Sequence, residues 1–331
     1  MNTASLNSRR RWGRRLIIVV LGLAGLVLGG PFLVPVPPLD GLVPAQSLAE
    51  PESAFVNVNG LDVHLKKSGA GDRVLVLIHG FTASTFTWRE VQAPLGALGT
   101  VLAFDRPGFG LTERPLPGDW SGPSPYTPEA AADLVIGLLD HYGVERAILV
   151  GNSAGGALAA YTALRYPERV EALALLDAPV YSVGGGSPAF LLPVLNSPQV
   201  RHIGPLIARG FIGNLPELVR SFWHDPARVT PAILAGYQRP FTVENWDRAF
   251  WEVFANSRAL ELAPRVPELT LPVLVVTGAE DVTVPAEQSE RLARALPNAD
   301  FAALPDCGHL PQEECPDALL AALTAFIQSL P

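Results

Sequence analysis

Cysteine is almost missing from this chain: Cys307 and Cys315 are the only two in 331 residues. That scarcity excludes a fold built on disulfides and any metal centre held by several thiolates. The two thiols are expected to be free and buried, although export to an oxidising compartment would permit them to bridge. Positive charge is the second scarcity. Lys and Arg number 24 against 32 Asp and Glu, a formal net charge of -8, spread without long runs. A nucleic-acid partner therefore has no electrostatic footprint here. No internal repeat is apparent either.

The exception to the sparse basic residues is local. Residues 8–15, SRRRWGRR, hold five arginines directly before an uncharged apolar run at 16–36. As a helix rising about 1.5 Å per residue, that run spans roughly 30 Å, the thickness of a bilayer's hydrocarbon core. Arginines before it and the acidic Asp40 and Glu50 after it predict a signal-anchor, with 1–15 cytoplasmic, 16–36 in the lipid bilayer and the remainder extracytoplasmic. Secretion after cleavage near VPAQS, residues 43–47, is the competing expectation, but that site lies far beyond the apolar run.

Prolines at 31, 35, 37, 38, 44 and 51 mark residues 37–52 as an extended tether. The globular part starts near Ser53. AFVNVNGLDVHLKKSG alternates apolar and polar residues around Asn59-Gly60 and predicts a hairpin. VLVLIHG (74–80), VLAFDRPG (101–108), AILVGNS (147–153), VEALALLDAP (170–179) and PVLVVTGAED (272–281) are apolar on both faces, as strands of a covered parallel sheet must be. A further strand is expected at 301–304. Helical patterns separate these runs at 128–142, 154–166 and 286–295, and 317–330 closes the chain. Alternation of this kind predicts an α/β fold with a doubly wound, mostly parallel sheet, its core formed by 53–179 and 268–331. Residues 180–267 lack a convincing buried strand and are rich in aromatics, so they are expected to form a mainly helical cap over the carboxyl ends of the strands.

Within this frame Gly151-Asn152-Ser153-Ala154-Gly155 follows an apolar strand and precedes a helix. Strand, sharp turn and helix are what a nucleophile elbow needs, and the flanking glycines permit the tight turn. Ser153 is the candidate nucleophile. A serine hydroxyl needs a base, itself oriented by an acid. His309, in a loop after the last strand, is the candidate base, while His64, His141, His202 and His224 are expected to be structural. Asp281 ends a strand and keeps the order Ser, Asp, His, with Asp177 as fallback; Asp105 reads as a turn aspartate that holds backbone amides. The N–H groups of Phe81 and Ala154 are the expected oxyanion donors. His79 supports the loop that carries Phe81, and it is grouped with Asn152, Trp223 and Trp246 as candidate substrate contacts. Nothing in this chemistry calls for a metal or an organic cofactor.

The segments HGFTAS, FDRPGFG, GNSAGG, GAEDVTVP and CGHLPQEE, in this order and spacing, resemble the α/β-hydrolase superfamily over residues 55–330. The resemblance is to its capped branch of esterases, cofactor-free haloperoxidases, proline iminopeptidases and meta-cleavage product hydrolases. It implies a serine hydrolase acting on a small molecule, here expected to be a carboxylic ester with an apolar part. C–C bond hydrolysis of meta-cleavage products and non-catalytic ligand binding are the alternatives. Serine at 153, where epoxide hydrolases and haloalkane dehalogenases carry aspartate, argues against those two activities.

Overall fold

The computed structural model describes the backbone of residues 3–181 and 187–331. Its first helix, α1 (Thr3–Gly29), contains most of a window, Arg15–Leu33, of mean hydropathy 2.5 with none of it buried. That helix is long and apolar enough to cross a membrane. A 3₁₀ turn at Gly30–Leu33 follows, where Pro31 closes the regular helix.

An eight-stranded sheet forms the core, in the order β1-β2-β4-β3-β5-β6-β7-β8. β1 (Ser53–Val58) and β2 (Leu61–Ser68) form the expected hairpin, with Asn59 and Gly60 both at positive φ and Val58 opposite Leu61. β2 pairs antiparallel with β4 (Thr100–Phe104), and every later pairing is parallel. Those parallel strands are β3 (Val74–Ile78), β5 (Ala147–Asn152), β6 (Val170–Leu176), β7 (Val273–Gly278) and β8 (Ala299–Leu304). β3, β5 and β7 are buried along their whole length, which explains their unbroken apolar runs. One face is covered by α3 (Pro128–His141), α4 (Ala154–Arg165) and α10 (Ala286–Ala295). The other is covered by the short α2 (Gln92–Leu95) and by the closing helix Pro316–Ser329.

Between β6 and β7 lie five helices and no strand among the described residues: α5 (Leu192–Leu195), α6 (Pro198–Ile212), α7 (Leu215–Ser221), α8 (Pro231–Gln238) and α9 (Trp246–Asn256). Residues 182–186 of the expected cap lie outside the described residues. The Pro-rich stretch 37–52, expected as an extended tether, is docked on the globular part. Val43 pairs with Val243, Glu50 is bonded to Lys66 and Arg239, and Arg239 also reaches the Leu48 carbonyl. Proline removes donors from the chain, yet its carbonyls and neighbouring side chains still bind a docking surface.

Candidate active site

At the carboxyl end of β5 the chain turns straight into α4, and Ser153 occupies the turn at φ 52° and ψ -125°. A non-glycine residue there costs on the order of 1–3 kcal/mol, held by the surrounding structure. Here the Ser153 N–H donates to the Leu176 carbonyl at 2.8 Å, tying the turn to β6. The flanking glycines are required by space. A Cβ on Gly151 would sit 2.4 Å from the Gly155 oxygen, and one on Gly155 would sit 2.1 Å from the Ile78 oxygen. Small residues on both sides of Ser153 therefore record two backbone approaches.

His309 stands in the loop after β8 and is buried. Its Nδ1 is 2.7 Å from Asp281 Oδ2. That loop is fixed from three directions: the His309 N–H donates to the Phe222 carbonyl at 2.7 Å, the Asn152 amide donates to the His309 carbonyl at 3.0 Å, and the Phe222 ring lies 5.3 Å from the imidazole. Asp281 is held in turn by the N–H groups of Thr283 at 2.7 Å and Val284 at 3.0 Å. With Nδ1 engaged by Asp281, Nε2 is the ring nitrogen left unbonded, and Asn152, the neighbour of Ser153, grips the His309 backbone. Among the described residues neither Nε2 nor Ser153 Oγ forms a hydrogen bond, a contact that commonly tightens only with substrate bound.

Asp177, the fallback acid, is also present, but as a third partner. It ends β6 at φ 48°, and its Oδ1 accepts from Thr277 Oγ1 at 2.8 Å and the Gly278 N–H at 3.1 Å. Ligand atoms of Asp177, Asp281 and His309 all lie within 4.8 Å of one another. Burial, followed by the neighbouring charge of Asp281, pushes the Asp177 carboxyl well above the usual range. Asp281 alone makes the imidazole contact.

The HGF loop sets the opposite wall. Among the described residues no acceptor takes the N–H of Phe81 or of Ala154, so both stay available beside Ser153. His79 is corrected from substrate contact to structural clip: Nδ1 donates to the Gly80 carbonyl at 2.8 Å and Nε2 accepts the Arg106 N–H at 3.0 Å. Burial, with the Arg106 charge, pushes it down to about 3, which keeps the ring neutral. Asn152 likewise holds the base loop. Asp105 behaves as the turn aspartate expected, accepting the N–H groups of Thr85 at 2.6 Å and Leu111 at 2.8 Å and bonding His64 Nδ1 at 2.6 Å.

A cavity opens beside the elbow, lined by Phe81, Arg106, Phe109, Ala154, Leu158 and Val253 among others. Trp223 and Trp246 are not among its walls. Trp223 packs with Val219, Val229 and Leu310, and Trp246 with Phe109, Ala208 and Phe250, because aromatics at helical spacing bury against their own subdomain first. The rings that do approach are Phe211, Phe250 and Phe254, whose centroids lie 5.9, 5.4 and 5.4 Å from that of Phe81.

Two features escaped the sequence. Cys307 and Cys315 are not free thiols: they are bonded, with Cα atoms 6.1 Å apart, and they bracket His309. Glu314 is the other. Its carboxylate accepts the N–H groups of Gly308 at 2.7 Å, His224 at 2.9 Å and Asp225 at 2.9 Å, joining the base loop to the cap. The signal was the acidic pair closing CGHLPQEE, two adjacent charges just before the mainly apolar closing helix.

Fold and geometry place the chain in a class that the comparisons make definite. The alpha/beta hydrolase fold model matches residues 73–316, and the chain belongs to that family. It is 32% identical to the uncharacterized hydrolase YugF of Bacillus subtilis (strain 168) over 281 residues, which is 82% of this chain and 96% of that one. It is 31% identical over 290 residues to 2-hydroxy-6-oxononadienedioate/2-hydroxy-6-oxononatrienedioate hydrolase of Paraburkholderia phymatum, covering 83% and 95% of the two chains. Among solved structures it is similar to a point mutant of the meta-cleavage product hydrolase CumD, with TM-score 0.65 and 25% identity over 83% of this chain and 97% of that one.

Proposed function

We propose that this hydrolase cleaves a carboxylic ester with an apolar part through an acyl-enzyme. The observation that carries the reading is the Asp281–His309 pair, 2.7 Å apart, next to a strained serine with two unspent amides beside it. Ser153 Oγ adds to the ester carbonyl while His309 Nε2 takes its proton, and the oxyanion accepts the N–H groups of Phe81 and Ala154. Collapse breaks the carbonyl–alkoxy bond, and His309 returns the proton to the departing alcohol. Water, deprotonated by the same imidazole, then releases the acid and restores Ser153. Asp281 holds the ring and offsets the imidazolium charge.

We further infer that α1 anchors the chain with residues 1–15 in the cytoplasm and the 53–179, 180–267 and 268–331 segments outside. The apolar window supports this, and so does the Cys307–Cys315 bridge, which persists in an oxidising compartment.

A second reading is C–C bond hydrolysis of a meta-cleavage product, and the Paraburkholderia phymatum relative is named a 2-hydroxy-6-oxononadienedioate/2-hydroxy-6-oxononatrienedioate hydrolase. Arg106 favours it: this guanidinium walls the cavity, its Nε has no partner, and burial pushes it down to about 10. A substrate carboxylate is the partner it would accept. Turnover of p-nitrophenyl esters of graded chain length and of a ring-fission dienone separates the two. Ester turnover without dienone turnover is the expected result, and the reverse moves the assignment to the second reading. Stoichiometric binding of both with turnover of neither returns a ligand-binding role.

A further inference from the structure

Exposed apolar side chains are not scattered over this molecule. Outside α1 and its exit at Phe32, Leu33 and Val34, seven large apolar residues are exposed among those described, and five lie between 190 and 211: Phe190, Leu191, Val194, Ile207 and Phe211. Phe190 is 77% exposed, Val194 55% and Ile207 51%. Single exposed apolar residues are ordinary, but a concentration of them marks an interaction surface.

What covers that surface is indicated by where it sits. The same cap helix, α6, is bonded to the exit of the membrane-length helix: Gln199 Nε2 donates to the Leu28 carbonyl at 3.3 Å, His202 Nε2 lies 2.9 Å from the Val34 carbonyl, and the His202 and Phe32 rings are 5.4 Å apart. Phe190 to Val194 lead into the N-terminal end of α6, and Ile207 and Phe211 continue along it one turn apart. A bilayer around α1 therefore ends at the apolar edge of the cap. Beside that edge lies a cleft walled by Val36, Arg201, His202, Arg248, Trp251 and Glu252, in which Glu252 neutralises Arg201 at 2.8 Å and Arg248 has no ion pair among the described residues.

We propose that the cap rests on the bilayer through Phe190, Leu191, Val194 and Ile207 and receives its substrate from the lipid phase past Phe211. Phe211 joins surface and site. It is 37% exposed on the patch, and its ring lies 5.9 Å from Phe81, whose N–H faces the acyl oxygen in the proposed reaction. The rings of Phe211, Phe250 and Phe254 pack on one another and on Phe81, so an unbroken aromatic contact runs from the patch to the HGF loop. The substrate class that follows is an ester dissolved in the membrane, with a long acyl or alcohol chain. This rests on the anchor and ester readings above.

The full-length protein in vesicles of phosphatidylethanolamine and phosphatidylglycerol provides the test. A polarity-sensitive fluorophore is placed at Val194→Cys, at Ile207→Cys, and at Phe301→Cys on the outer strand β8. Emission at 194 and 207 is expected to shift to the blue and to be quenched by a nitroxide-bearing lipid about threefold more than at 301. Equal quenching at the three positions overturns the surface. In the second arm, Val194→Asp with Ile207→Asp is expected to cut hydrolysis of a long-chain ester in vesicles by about tenfold and to leave a short water-soluble ester unaffected. Equal loss on both substrates, or no loss on the vesicle ester, overturns the delivery route. Should the unmodified protein hydrolyse neither ester, the ester reading falls while the fluorescence arm still decides the surface.

Discussion

Breaking the Cys307–Cys315 bond addresses the base loop without touching a reacting group. The bridge closes a loop of eight residues' separation that contains His309. The loop-closure relation gives about 2.5 kcal/mol for a ring of this size at 25 °C. In a domain of this length each kcal/mol moves the melting temperature by about 2–4 °C, so Cys315→Ser should melt roughly 5–10 °C lower. Cys315 is only half-buried, so serine there leaves no cavity to add to the loss. Differential scanning calorimetry of the full-length protein in detergent, with and without reductant, reads the effect: reduced wild type should converge on the variant. Turnover should fall by less than about tenfold, because Asn152, Phe222 and Glu314 still pin the loop. Equal melting temperatures for wild type and variant without reductant, together with no response of the wild type to reductant, would refute the bridge and return the two thiols to the free state expected from the sequence.

Other outcomes follow from the same geometry. Asn152→Ala removes the amide bonded to the His309 carbonyl and should lower kcat by roughly ten- to a hundredfold with KM little changed; a selective rise in KM would instead make Asn152 a substrate contact. Asp281→Asn should cost about 10⁴-fold in kcat, whereas Asp177→Asn should cost far less, and the reverse order in steady-state kinetics would exchange their roles. Asp177 also carries a pH signature. Its folded carboxyl binds a proton more tightly than the unfolded one, so wild-type stability falls as pH rises above the ordinary carboxylate value toward the raised one. Asn cannot titrate, and the melting temperature of Asp177→Asn should gain on wild type between pH 4 and pH 8; a flat difference contradicts the upward shift. Gly155→Ala sets a Cβ 2.1 Å from the Ile78 oxygen and should destabilise by about 1–3 kcal/mol in denaturant titration.

The sheet was legible because its central strands β3, β5 and β7 are buried on both faces, its opening hairpin alternates and its helices are amphipathic, so period separated them. Ser153, His309 and Asp281 could be picked out as candidates for a different reason: each is a polar residue that follows a strand, and the structure brings Asp281 and His309 into contact. Trp223 and Trp246 were misassigned because residue type does not say which way a cap helix turns, and both rings are consumed by packing. Phe211, Phe250 and Phe254 are the cap rings that approach Phe81. The docking of residues 37–52 depends on surfaces formed by residues nearly two hundred positions later, such as Arg239, which no local pattern encodes. The disulfide was hidden for a related reason, since eight residues of spacing bring two sulfurs together only once Pro311 starts a helical turn.

The central claim is that Ser153 is the activated nucleophile. Treating the full-length protein with an alkyl fluorophosphonate and mapping the adduct by peptide mass spectrometry tests it most directly. The account expects one stoichiometric adduct on Ser153, lost in Ser153→Ala and slowed strongly in His309→Ala. An adduct on another residue, or labelling that persists undiminished in Ser153→Ala, would contradict it.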